Sequence, residues 1–103
     1  MTERVRKINS ADKIAYISAS FKLLSDPTRL RILCILFENK EGLCVYEIAD
    51  SVGISQSAAS HQLAKLEAKG IVSSFREGQM ICYAIVENTE TSNLEKMINM
   101  LRK

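Results

Sequence analysis

The chain has 103 residues, 47% hydrophobic and 25% charged, which describes one folded domain rather than a disordered chain. No apolar run approaches the roughly 20 residues of a membrane span. The charged start Met1-Thr2-Glu3-Arg4-Val5-Arg6-Lys7 does not resemble a signal peptide, so a cytoplasmic protein with no membrane partner is expected. The net charge is only +2, so no basic coat advertises nucleic acid. The charge is uneven, however. Residues 1–40 carry eight Lys/Arg against four Asp/Glu, whereas residues 41–70 carry two against four. That balance suits a binder that uses a few placed phosphate contacts and dimerises.

Residues 1–9 read as a flexible basic arm, and residues 10–103 as one domain. Ile14, Ile17, Phe21 and Leu24 recur at helical spacing and predict a helix over about 10–24. Ser25-Asp26-Pro27 breaks and restarts it, with Asp26 as a cap and Pro27 at a first helical position. Leu30 to Phe37 is apolar apart from Arg31 and predicts the buried central helix. Glu38 to Gly42 is a loop. Val45, Ile48 and Val52 then form a short helical stripe, and Gly53 permits a sharp turn.

The next helix has a clear start, stripe and stop. Ser55 is a good N-cap and Gly70 a good residue just past the end. Ala59, Leu63 and Leu66 give a buried face. The opposite face carries Gln56, Ser57, Ser60, His61 and Lys65, with Gln62 beside them. A merely solvated face usually carries Glu/Lys pairs; short and planar hydrogen-bonding groups suit base edges in a DNA major groove. A short helix, a turn with Gly and a polar-faced second helix make a helix-turn-helix. After Gly70 the period changes to alternation. Ile71–Phe75 and Met80–Val86 are expected strands around a turn at Arg76-Glu77-Gly78-Gln79. Such a hairpin is a wing, and Arg76 and Gln79 at its tip are placed to touch phosphate or the minor groove. The plainer reading of these two residues is a solvated hairpin end.

Leu94, Met97, Ile98 and Leu101 predict a last helix over about 91–102. A winged-helix core is expected to be complete without it, and the first helix also has spare apolar surface. Both terminal helices are therefore expected to pair with a second copy, placing two recognition helices about one DNA turn apart, roughly 34 Å. The fold expected is mainly α with a small β-hairpin, in the order α-α-α-α-β-β-α.

Several stretches together resemble the ArsR/SmtB family of bacterial winged-helix repressors. They are Leu24-Ser25-Asp26-Pro27-Thr28-Arg29-Leu30-Arg31-Ile32-Leu33, Leu43-Cys44-Val45-Tyr46-Glu47-Ile48-Ala49, Gln56-Ser57-Ala58-Ala59-Ser60-His61-Gln62-Leu63, and Gly78 through Tyr83. The resemblance covers about residues 15–86. It implies a homodimer on a palindromic operator in double-stranded DNA, repressing transcription until an inducer, often a metal or metalloid, releases it. It also implies that the helix with Ser57, Ser60, His61 and Gln62 enters the major groove.

The family's sensing sites map poorly. Its Leu-Cys-Val-Cys metalloid segment is Leu43-Cys44-Val45-Tyr46 here, so the second thiolate is lost. Residues 88–103 hold no His and no Asp, so the last-helix metal site lacks its ligands. The thiol-oxidation members pair a cysteine at the position of Cys34 with one on the last helix, which this chain lacks.

Three cysteines, an odd number without C-x-x-C spacing, predict no disulfide framework. Cys34 and Cys44 are candidate sensor thiols, each against the plainer reading of a small core residue; Cys82 reads as strand filler. No metal set is expected to be complete, though a soft metal or metalloid ion is kept as a candidate ligand. His61, the single histidine, fits the recognition face better than a lone ligand position. The function expected is a dimeric sequence-specific DNA-binding regulator and not an enzyme; a thiol enzyme would need a base near a cysteine, but the single His lies on the groove-facing side of the recognition helix. The alternatives are a winged-helix protein-interaction module and a repressor that senses nothing.

Overall fold

The computed structural model describes residues 10–102. Helix α1 spans Ala11–Ser25, with Ser10 as N-cap accepting from the Lys13 N–H. Helix α2 spans Pro27–Glu38. The joint between them is built from side chains. Asp26 Oδ2 accepts from the Arg29 N–H at 2.8 Å and caps α2. The Arg29 guanidinium in turn donates to the Leu23 and Lys22 carbonyls at 2.7 and 2.9 Å, satisfying the open end of α1.

A two-residue strand, β1 (Leu43–Cys44), leads into α3 (Val45–Val52). Helix α4 spans Gln56–Ala68, β2 Val72–Glu77, β3 Met80–Ile85 and α5 Thr89–Leu101. The sheet order is β1-β3-β2, antiparallel throughout, with Leu43 opposite Tyr83 and Cys44 opposite Cys82. The expected mainly α winged helix-turn-helix is therefore present, with one more strand than the sequence predicts. The expected arm at 1–9 lies outside the described residues.

Ile32, Leu33 and Leu36 of α2 are fully buried, so α2 is the centre of the core as expected. Around it pack Ile48 and Val52 from α3, Ala59, Leu63 and Leu66 from α4, and Leu94 and Ile98 from α5. The last helix is thus part of the core, which corrects the expectation that the core closes without it. Its start is fixed by Asn88, which accepts from the Thr91 N–H at 2.8 Å, while Thr91 Oγ1 donates to the Val86 carbonyl. Ion pairs Lys40–Glu95 and Arg102–Glu38 hold its outer side to α2 and the loop after it.

The apolar surplus of α1 is real. Ile14, Ile17 and Phe21 are exposed on it, as are Met100 and Leu101 at the end of α5. Phe21, Leu24, Leu30, Cys34, Met97 and Leu101 line an apolar cavity of about 570 Å³ between these helices.

The hairpin turn is tighter than expected. It is the two-residue Gly78-Gln79, with Gly78 at φ 63°, a glycine-first arrangement suited to tight hairpins. Arg76 and Glu77 are consequently strand residues, opposite Ile81 and Met80.

Candidate nucleic-acid interface

The helix-turn-helix is set by local chemistry. Gly53 ends α3 in the left-handed region at φ 81°, its N–H donating to the Ala49 carbonyl at 2.8 Å. Ser55 Oγ accepts from the Ala58 N–H at 3.0 Å and starts α4. Gly70, at φ 76°, turns the chain from α4 into the wing. Ser55 is therefore a cap first; its hydroxyl hydrogen remains free for a further acceptor.

Gln56, Ser57, Ser60, His61 and Lys65 are all exposed on α4, opposite the buried Ala59, Leu63 and Leu66. The two faces follow the 3.6-residue period. Gln56 and Ser60 share a depression of about 460 Å³ with Gln79 of the wing, floored by Tyr46, Met80 and Ile81. The recognition face and the wing tip thus border one depression, and Tyr46, Met80 and Ile81 are lining that the sequence reading did not place there. Arg76 is exposed on β2, two residues before the turn. Gln62 differs from its neighbours. It is half-buried, and its Oε1 is shielded from solvent without a hydrogen-bond partner among the described residues.

The wing is tied to α4 by a residue that sequence reasoning passed over. Glu67 Oε2 accepts from both the N–H and the hydroxyl of Ser74, at 3.2 and 2.8 Å. Glu67 also faces Tyr83, whose phenol is pushed above its usual value, first by burial and then by that carboxylate. A Glu followed seven residues later by Ser across a glycine turn was the only sequence signal.

The cysteines depart from expectation. Cys44 and Cys82 are joined by a disulfide between β1 and β3. This corrects the expectation of no disulfide and the reading of Cys82 as strand filler, and it gives the candidate sensor thiol Cys44 a bonded partner. The cause is register: the two residues stand directly opposite each other, 38 residues apart in sequence. Cys34 is free and half-buried in the apolar cavity between the terminal helices.

A carboxylate oxygen of Glu77 and the two bonded sulfurs lie within 4.8 Å of one another. Two thiolates and a carboxylate are a donor set for a soft divalent ion, but only when the sulfurs are reduced. The set fits a metal in one redox state of the protein and not in the other.

Residues 26–74 match the family described as bacterial regulatory protein, arsR family. The chain is 33% identical over 90 residues to the transcriptional repressor SmtB homolog of Synechocystis, covering 84% of this chain and 67% of that one. It therefore spans about two thirds of that relative's length. Among solved structures it is similar to the AntR antimony-specific transcriptional repressor, with TM-score 0.78, 32% identity, and coverage of 93% of this chain and 86% of that one. It is also similar to a homodimeric winged helix-turn-helix DNA-binding domain from Mycobacterium bovis. There the TM-score is 0.69 and the identity 26%, over 93% of this chain and 89% of that one.

Proposed function

Because the chain belongs to the ArsR family of bacterial DNA-binding regulators, we propose that it is a homodimeric transcriptional repressor whose two α4 helices read a palindromic operator. The observation that supports this is the depression lined by Gln56 and Ser60 of α4 together with Gln79 of the wing. In this reading Gln56, Ser57, Ser60 and His61 contact base edges, and Ser55 contributes its free hydroxyl hydrogen. Lys65 and Arg76 contact phosphate and set register. Gln62 joins the base contacts only after its amide turns outward. Residues 10–103 act as one DNA-binding and dimerisation domain. The exposed Ile14, Ile17, Phe21, Met100 and Leu101 provide its self-complementary surface.

Selection of bound duplexes from a random pool tests the reading; an enriched inverted repeat is expected. Ser57→Ala combined with His61→Ala is expected to weaken the selected duplex by about 30-fold or more, at about 1–3 kcal/mol for each of the two lost base contacts. A random duplex should change little. Equal losses on both would remove these residues from base reading.

A further inference from the structure

The disulfide lies where two DNA-facing elements meet. Cys44 is the N-cap of α3, the first helix of the helix-turn-helix, and Cys82 is on β3, which runs out into the wing. The bond therefore ties the helix on which α4 packs to the strand that carries Met80 and the wing tip. β1 is only two residues long and pairs with β3 at Leu43–Tyr83 and Cys44–Cys82 alone, so the bond is a large part of this attachment.

The sulfurs are buried but reachable. Cys44 is 5% exposed and Cys82 1%, yet both line a cavity of about 480 Å³ at the surface of the sheet. Three carboxylates, Glu41, Glu47 and Glu77, line the same cavity, and among the described residues no Lys or Arg does. Such a mouth repels anions, including thiolate reductants and oxidants that carry carboxylates, and admits small neutral molecules. A regulator that acts on the chromosome works in a compartment kept reducing, where a disulfide is transient and responsive rather than a permanent staple.

We propose that Cys44 and Cys82 are a reversible thiol–disulfide couple, oxidised by a small neutral peroxide, that locks the wing onto the helix-turn-helix. The effect on DNA rests on the DNA-binding reading above; the thiol chemistry does not. Cys44, on the edge strand and the more exposed of the two, attacks the peroxide. Its S–H bond and the O–O bond break, an S–O bond forms, and one water leaves a sulfenic acid. Cys82 then attacks that sulfur; the S–S bond forms and the hydroxyl leaves as a second water, taking the Cys82 proton. Two thiols lose two electrons and two protons, and hydrogen peroxide becomes two waters. A neutral dithiol reverses the step by exchange and ends as its own cyclic disulfide.

The bonded state fixes the wing in the position where Gln79 adjoins Gln56 and Ser60. Order that is present before binding does not have to be gained during it, so the oxidised protein is the tighter DNA binder.

The test uses the full chain carrying Cys34→Ser, so that only this pair reports. Fully reduced protein is treated with hydrogen peroxide, then with dithiothreitol, and free thiols are counted by alkylation and mass. The expected result is joint loss of both thiols, a mass change of two hydrogens per protomer, and full recovery with dithiothreitol. Affinity for a random-sequence duplex at low salt is expected to be roughly 3- to 10-fold tighter in the oxidised form. Cys82→Ser and Cys82→Val should both bind like the reduced protein and ignore peroxide; two replacements guard against a folding defect in one. Thiols that stay free under peroxide overturn the proposal. So does a bond that resists dithiothreitol, or zinc chloride shielding both thiols while peroxide forms no bond, which marks a metal site instead. Reversible bonding with unchanged affinity in a protein that binds DNA overturns the coupling. Absence of DNA binding in both states, with the thiol result intact, overturns the DNA reading alone.

Discussion

Single residues divide into those that shape the backbone and those that meet solvent or DNA. Gly42 precedes β1 at φ 106°, a region that L-residues avoid, and a Cβ there would sit 2.8 Å from the Phe75 ring and 3.0 Å from the Tyr83 carbonyl. Gly42→Ala is expected to cost about 2–3 kcal/mol in urea unfolding, from the backbone strain and the ring displacement together. An unchanged midpoint would mean the loop relaxes without loss. Tyr83 gives a pH signature. Its folded-state value is raised above the ordinary 10.0 by burial and Glu67, so the folded protein holds the phenol proton more tightly than the unfolded chain. Its contribution is therefore fully present below pH 10 and is lost as pH rises through the raised value. Tyr83→Phe should flatten the fall in thermal midpoint above pH 10, with wild type and variant compared at each pH. These residues were poorly legible in sequence. Gly42 looked like loop punctuation because Phe75, its neighbour in space, is 33 positions away.

Helices and strands were more legible where their ends are decided locally. Asp26, Ser55, Gly53 and Gly70 act as the sequence predicts, because a cap or a left-handed stop depends on atoms within four residues. The elements that surprised are those fixed by distant partners. β1 exists only because β3 pairs with it, and the cysteine bond follows from that register. The turn at Gly78-Gln79 draws Arg76 and Glu77 into β2, since two-residue loops follow strand twist better than four-residue ones. Glu67 is the clearest case. In sequence it only flanks the buried stripe of α4, yet it anchors β2 through Ser74. Glu67→Ala is expected to loosen the wing, raising amide exchange at Ser74 and its neighbours at least several-fold and costing about 1–2 kcal/mol. Glu67→Gln, which keeps one acceptor oxygen, should recover part of this. Equal exchange in all three proteins would deny the anchor.

At the scale of the molecule, the exposed apolar face on α1 and α5 is the proposed seam between two copies. Its character was visible in the sequence as spare periodicity; its division was not, because α5 gives Leu94 and Ile98 to its own core and leaves Met100 and Leu101 outside. Phe21→Glu with Leu101→Glu is expected to convert the dimer to monomer in sedimentation equilibrium and to abolish binding to an inverted repeat. Retained dimers would move the interface elsewhere. The two exposed side chains are far from Leu33 and Leu63 in burial, so circular dichroism should remain helical.

As the proposed dimer seam, that same face makes output nonlinear in the amount of protein. While most copies are single, the dimer population grows with the square of the chain's concentration, so halving the supply cuts the DNA-binding species about fourfold. In that reading the DNA-bound population responds steeply to dilution of the chain, and the steepness is set at Phe21 and Leu101 rather than on α4.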